Sequence, residues 1–87
     1  DPEEKMVSER KWDLALKLVQ KAIEVDKTKA EYWDTLGWAY FGAGNREKAV
    51  ESEKEAIRLA IDLDDEDRYK KVLAKFEAKK DDPIIHY

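Results

Sequence analysis

The chain contains no cysteine, which excludes disulfides and thiolate metal sites. Histidine occurs once, as His86 in the tail, so a hydrolytic triad has no well-placed base. Only two prolines and three glycines punctuate the 87 residues. Gly37, Gly42 and Gly44 are too far apart in type and spacing to form a phosphate- or dinucleotide-binding loop. No apolar run approaches the length needed to cross a bilayer. A basic surplus is missing too. The net charge is −4 with Lys and Arg dispersed among the acids, which makes nucleic acid a poor candidate partner.

What is present is charge and periodicity. Charged residues make up 44% of the chain and mean hydropathy is −0.83, a balance that borders on disorder. Against it, 43% of residues are hydrophobic and recur at helical spacing, so a packed fold is favoured. A chain of this length holds one domain with a modest core. It opens at Asp1 with no initiator methionine, which suggests a segment of a longer protein.

Three interruptions predict four helices. The first is expected over residues 8–25, with Ser8 as its N-cap and Asp1-Pro2-Glu3-Glu4 capping a short leading turn. Asp26-Lys27-Thr28-Lys29 breaks the apolar pattern. A second helix over 30–41 ends at Gly42-Ala43-Gly44-Asn45, where glycine can take the left-handed conformation. The third is expected over 46–61, extendable to Leu63, with Asn45 as N-cap. The fourth follows the acidic cluster Asp62, Asp64, Asp65, Glu66, Asp67 and runs to about Lys80, before Pro83 prevents further helix. No segment alternates with period two, so no strand is predicted. Short connections imply antiparallel hairpins and an all-α fold.

The sequence also repeats itself. Ala15 recurs as Ala49 and Ala22 as Ala56, each 34 positions on, within similar surroundings. Trp33, Leu36, Gly37 and Tyr40 stand at W-x2-L-G-x2-Y spacing. Small Gly37 and Ala49 suit a close helix approach, with Trp33, Leu36 and Tyr40 filling the space around it. In period and motif the chain resembles the tetratricopeptide-repeat family, specifically over 30–63 and well over 12–25. Tyr69, Val72, Leu73 and Phe76 repeat the motif degenerately, 36 positions after its first copy, with Leu73 in place of glycine.

The resemblance implies the C-terminal end of an array. Residues 1–29 would hold a second helix with its leader, 30–63 a complete repeat, 64–80 a capping helix and 81–87 the tail. Such arrays need a cap because the last unit faces solvent.

Two departures from the family pattern stand out. Glu53 occupies an aromatic position on the inward side of the third helix. It is expected to snorkel to the rim, the alternative being a partly buried carboxylate paired with a Lys or Arg. Ile61 replaces the closing proline, which would let the third helix extend. The first helix carries a further oddity. Trp12, Ala15, Leu16, Val19, Ala22 and Ile23 form one apolar stripe, whereas Leu14, Leu18 and Val25 form a second. Bare, the second stripe would be a typical association site. Its expected covers are an upstream helix, Met6 and Val7, the tail Ile84-Ile85, or a second copy of the chain.

The resemblance also implies a concave face formed by first helices. Glu31, Asp34, Trp38 and Phe41 would line it from the complete repeat, and Lys70, Lys71 and Glu77 from the capping helix. Trp38 and Phe41 lie off the motif's packing face, and rigid aromatics of this kind anchor interfaces; the plainer expectation is that they pack on a neighbouring helix or the tail. Repeats that clamp the acidic C-termini of heat-shock chaperones present Lys and Asn where this chain has Asp34 and Trp38, so such a clamp is not expected. A calcium loop beginning at Asp62 would need Gly and Glu where Asp67 and Leu73 stand. No cofactor and no enzymatic activity are expected.

These readings converge on a protein-binding module that takes a peptide or partner helix. The alternative is a structural cap or self-association module acting through the first helix. An engineered or excised repeat is a third reading.

Overall fold

The computed structural model describes the backbone of residues 2–78 and the side chains of residues 11–78. Four helices follow one another: α1 Pro2–Val25, α2 Ala30–Gly42, α3 Arg46–Leu59 and α4 Leu63–Glu77. No strand occurs among the described residues. Each helix packs on the next, so the fold is all-α and built from consecutive hairpins.

The turns follow from local chemistry. After α1, the Asp26 carboxylate accepts from the Thr28 hydroxyl at 2.6 Å and from its backbone N–H at 2.9 Å. Those two bonds hold the Asp26 carboxyl below its ordinary range. Trp33 Nε1 donates to Lys27 O at 2.9 Å and pins the loop to α2. The end of α2 is a Schellman motif: Gly44 N–H donates to Phe41 O at 3.1 Å and Asn45 N–H to Tyr40 O at 2.8 Å. Gly44 takes φ +88, the left-handed conformation expected of this stretch. Asn45 then caps α3 by accepting from Lys48 N–H at 3.1 Å.

Several helix bounds differ from expectation. α1 begins at Pro2, so Ser8 lies inside the helix. Nothing between Pro2 and Val25 breaks it, and proline suits a first helical turn. α3 ends at Leu59, because Ala60 turns extended and Asp62 caps α4 by accepting from Asp65 N–H at 2.8 Å. The acidic cluster therefore forms the first turns of α4 rather than a preceding linker, where its charges oppose the positive end of the helix dipole. Lys79, Lys80, Pro83 and the tail lie outside the described residues.

Two packing layers result. Val19 and Ile23 of α1 meet Leu36 of α2, with Leu16, Tyr32, Trp33 and Tyr40 packed around them. Trp12 covers Gly42 so closely that a Cβ there would fall 2.5 Å from its ring, while Trp12 itself keeps 38% of its surface in solvent. Between α2 and α3, Ala49 and Ala56 are fully buried. Gly37 lies against Ala49, and a Cβ on it would come within 3.3 Å of Ala49 O. α4 closes this layer with Tyr69 and Phe76. Burying the Phe76 ring completely stabilises the fold by roughly 2–3 kcal/mol.

Candidate protein-binding face

Trp33, Leu36 and Tyr40 use up one side of α2. Helical spacing places Trp38 and Phe41 on another, and α4 meets them there through Phe76. The Phe41 and Phe76 rings stack with centroids 4.7 Å apart. Trp38 stands edge-on to Phe76 at 4.9 Å and to Phe41 at 6.2 Å. The Lys75 ammonium lies 5.3 Å from the Trp38 ring centroid. Trp38 nonetheless keeps 36% of its surface in solvent, whereas Phe41 is half-buried. Thus Phe41 is largely a packing residue, and Trp38 both packs and projects.

The polar residues expected on this face divide. Glu31 is exposed at the first turn of α2, and Lys71 and Glu77 are exposed on α4. Lys70 is held by Glu66 at 2.8 Å. Asp34 is half-buried, and its Oδ1 is shut off from solvent with no N–H donor reaching it among the described residues. Lys75 escaped the sequence reading because it lies beside the motif position Phe76 rather than at one. Its adjacency to that aromatic was the available signal.

Beneath this face lies the largest departure from expectation. Glu53 neither snorkels to the rim nor pairs with a base. It is completely buried, and no donor reaches either carboxylate oxygen among the described residues. Its Oε1 and Phe76 Cε2 lie 2.8 Å and 3.1 Å from where a Gly37 Cβ would sit. The side chain is thus held under α4 and cannot extend to water. Burial first, then a hydrogen bond with Asp34 and the Asp34 charge, push the Glu53 carboxyl up to about 9. Near neutral pH Glu53 carries a proton that it can donate to Asp34. A carboxyl kept neutral in this way needs no cation beside it.

On the second stripe of α1, Leu14, Leu18 and Val25 are all exposed. Among the described residues no helix is long and apolar enough to cross a membrane. A depression of about 330 Å³ opens between α2 and α3, lined by Trp33, Leu36, Tyr40 and Ser52 among others, on the side of α2 away from Trp38. Comparison with protein-family models, curated proteins and solved structures finds no match to this chain.

Proposed function

We propose that this chain is the end of a tetratricopeptide-type array and serves as a protein-binding module. A peptide or partner helix would lie across α2 and α4, with Trp38 as its anchor. The observation that carries the reading is the state of Trp38. It is large, partly exposed, and braced on two rings and a lysine, so little conformational freedom is lost when a ligand covers it. Lys71, Lys75, Glu31 and Glu77 supply polar contacts of both signs around it. The 34-residue period and the approach of Gly37 to Ala49 support the repeat assignment on which the face depends. A face this short binds weakly on its own and gains strength through multivalency.

Selection of peptides from a displayed random library, followed by titration of the best binder, tests the reading. Trp38→Ala should weaken binding at least tenfold with helical content unchanged. Equal affinity in the variant would remove this face from the account. The exposure of Leu14, Leu18 and Val25 favours a second reading, self-association through α1.

A further inference from the structure

We infer that α1 of one copy docks on α4 of the next, so that copies of the chain associate head to tail. The inference rests on the repeat reading above. In repeat terms the helices run second, first, second, first. α1 is then a second helix without its first, and α4 a first helix without its second.

α2 and α3 display what such a pair buries. Ser52 is 5% exposed and the Lys48 ammonium lies 5.7 Å from the Tyr40 ring centroid. One period earlier, on α1, their counterparts are Leu18 and Leu14. These are more apolar than Ser52 and Lys48, yet 61% and 58% exposed. Ser52 is buried and Lys48 stays exposed with its ammonium over Tyr40, so a face more apolar at both positions and left in water lacks its covering helix.

The same register identifies the cover. Leu59 and Ala30 line one depression at the start of α2. The counterpart of Leu59 on α1 is Val25, and that of Ala30 on α4 is Glu66. Carried over, the pairing brings Val25, 88% exposed, to the beginning of α4. There Ile61 and Leu63 stand 96% and 76% exposed. The three large aliphatic residues most open to solvent among the described residues would cover one another.

Charge agrees with shape. Lys11, Lys17 and Lys21 edge the α1 stripe, exposed and in no ion pair among the described residues. The first turns of α4 carry Asp64, Asp65, Glu66 and Asp67. Glu55 and Trp33 line one depression, so the same register sets Lys21 opposite the Tyr69 position of α4, within a turn of Glu66, although the Tyr69 ring is buried in its own copy. Opposite charges at the junction steer the copies together and fix their register.

Within one copy the two surfaces cannot meet, because α1 packs on α2 and α4 on α3, at opposite ends of the stack. A contact between unlike surfaces that does not close produces an open series. Sedimentation equilibrium of the full chain should therefore show a mass that climbs past the dimer as concentration rises and falls back at high salt. Leu18→Asp, Lys21→Glu and Glu66→Lys should each weaken association at least tenfold. A chain carrying both Lys21→Glu and Glu66→Lys should regain it, since the reversed charges still face each other at every junction. A single-chain mass at all concentrations would overturn the inference, as would a dimer indifferent to Glu66→Lys. Neither result touches the peptide titration at Trp38, so the two readings fail separately.

Discussion

Glu53 Oε1 lies only 2.8 Å from where a Cβ on Gly37 would be placed, so the glycine of α2 and the acid of α3 occupy one slot beneath α4. Phe76 and the Ala49 carbonyl close the same slot. This point joins three helices and governs both the stability of the stack and the placement of the Trp38 face.

Gly37→Ala tests the slot. Helix propensity alone would favour alanine by about 1 kcal/mol. The added methyl meets a buried carboxyl at 2.8 Å, a buried ring at 3.1 Å and a backbone oxygen at 3.3 Å, and overpacking of this kind costs about 1–3 kcal/mol. The clash should win, giving a net loss of about 1 kcal/mol or more in urea unfolding. A gain in stability would mean that the approach is looser than described.

The raised Glu53 pKa predicts an unusual pH response. The folded pKa of Glu53 is raised to about 9 from an ordinary 4.5. Below 4.5 the folded and unfolded chains both hold the proton, and the full contribution is present. As pH rises toward 9 the unfolded chain releases it while the fold retains it, so stability falls through this window and the contribution is lost above it. Glu53→Met, similar in volume and free of unpartnered polar atoms, should gain about 1–3 kcal/mol at pH 8 and flatten the slope. A pH-independent wild type between 5 and 9 would contradict the buried, protonated Glu53.

The aromatic trio separates packing from presentation. Phe76→Ala should cost about 3–5 kcal/mol and loosen α4, because the ring is fully buried against α2. Trp38→Ala should cost less than half as much, since its surface is already partly in water. Thermal unfolding of the two variants compares them directly. Equal losses would make Trp38 a core residue and weaken its claim as an anchor.

At the hairpin, Gly44→Ala should destabilise by about 1–2 kcal/mol, because a residue with a Cβ resists φ +88. Asn45→Ala should remove about 1 kcal/mol of capping. Chemical denaturation checks both, and a neutral Gly44→Ala would contradict the left-handed turn.

Which of these features could be read in advance depended on whether their causes were local. Gly44 and Asn45 were legible because a left-handed glycine and an N-cap act within a few residues. Gly37 against Ala49 was legible because the repeat sets their spacing. Glu53 was not, since its burial depends on Phe76 arriving from 23 positions away and closing the route to solvent. The N-cap of α4 was not singled out because a run of acids offers several equivalent caps, and only backbone geometry selects Asp62. Of the candidate face, Trp38 and Phe41 were reachable from helical phase. Lys75 needed the packing of α4, and the inward position of Asp34 needed that of Glu53.

The most direct test is ¹⁵N–¹H NMR of the chain titrated with a library-selected peptide. The account predicts that the Trp38 indole N–H and the amides around Glu31, Lys71 and Lys75 shift together and saturably. Shifts confined to the Leu14 and Leu18 region of α1, or to the Trp33–Tyr40 depression, would contradict it.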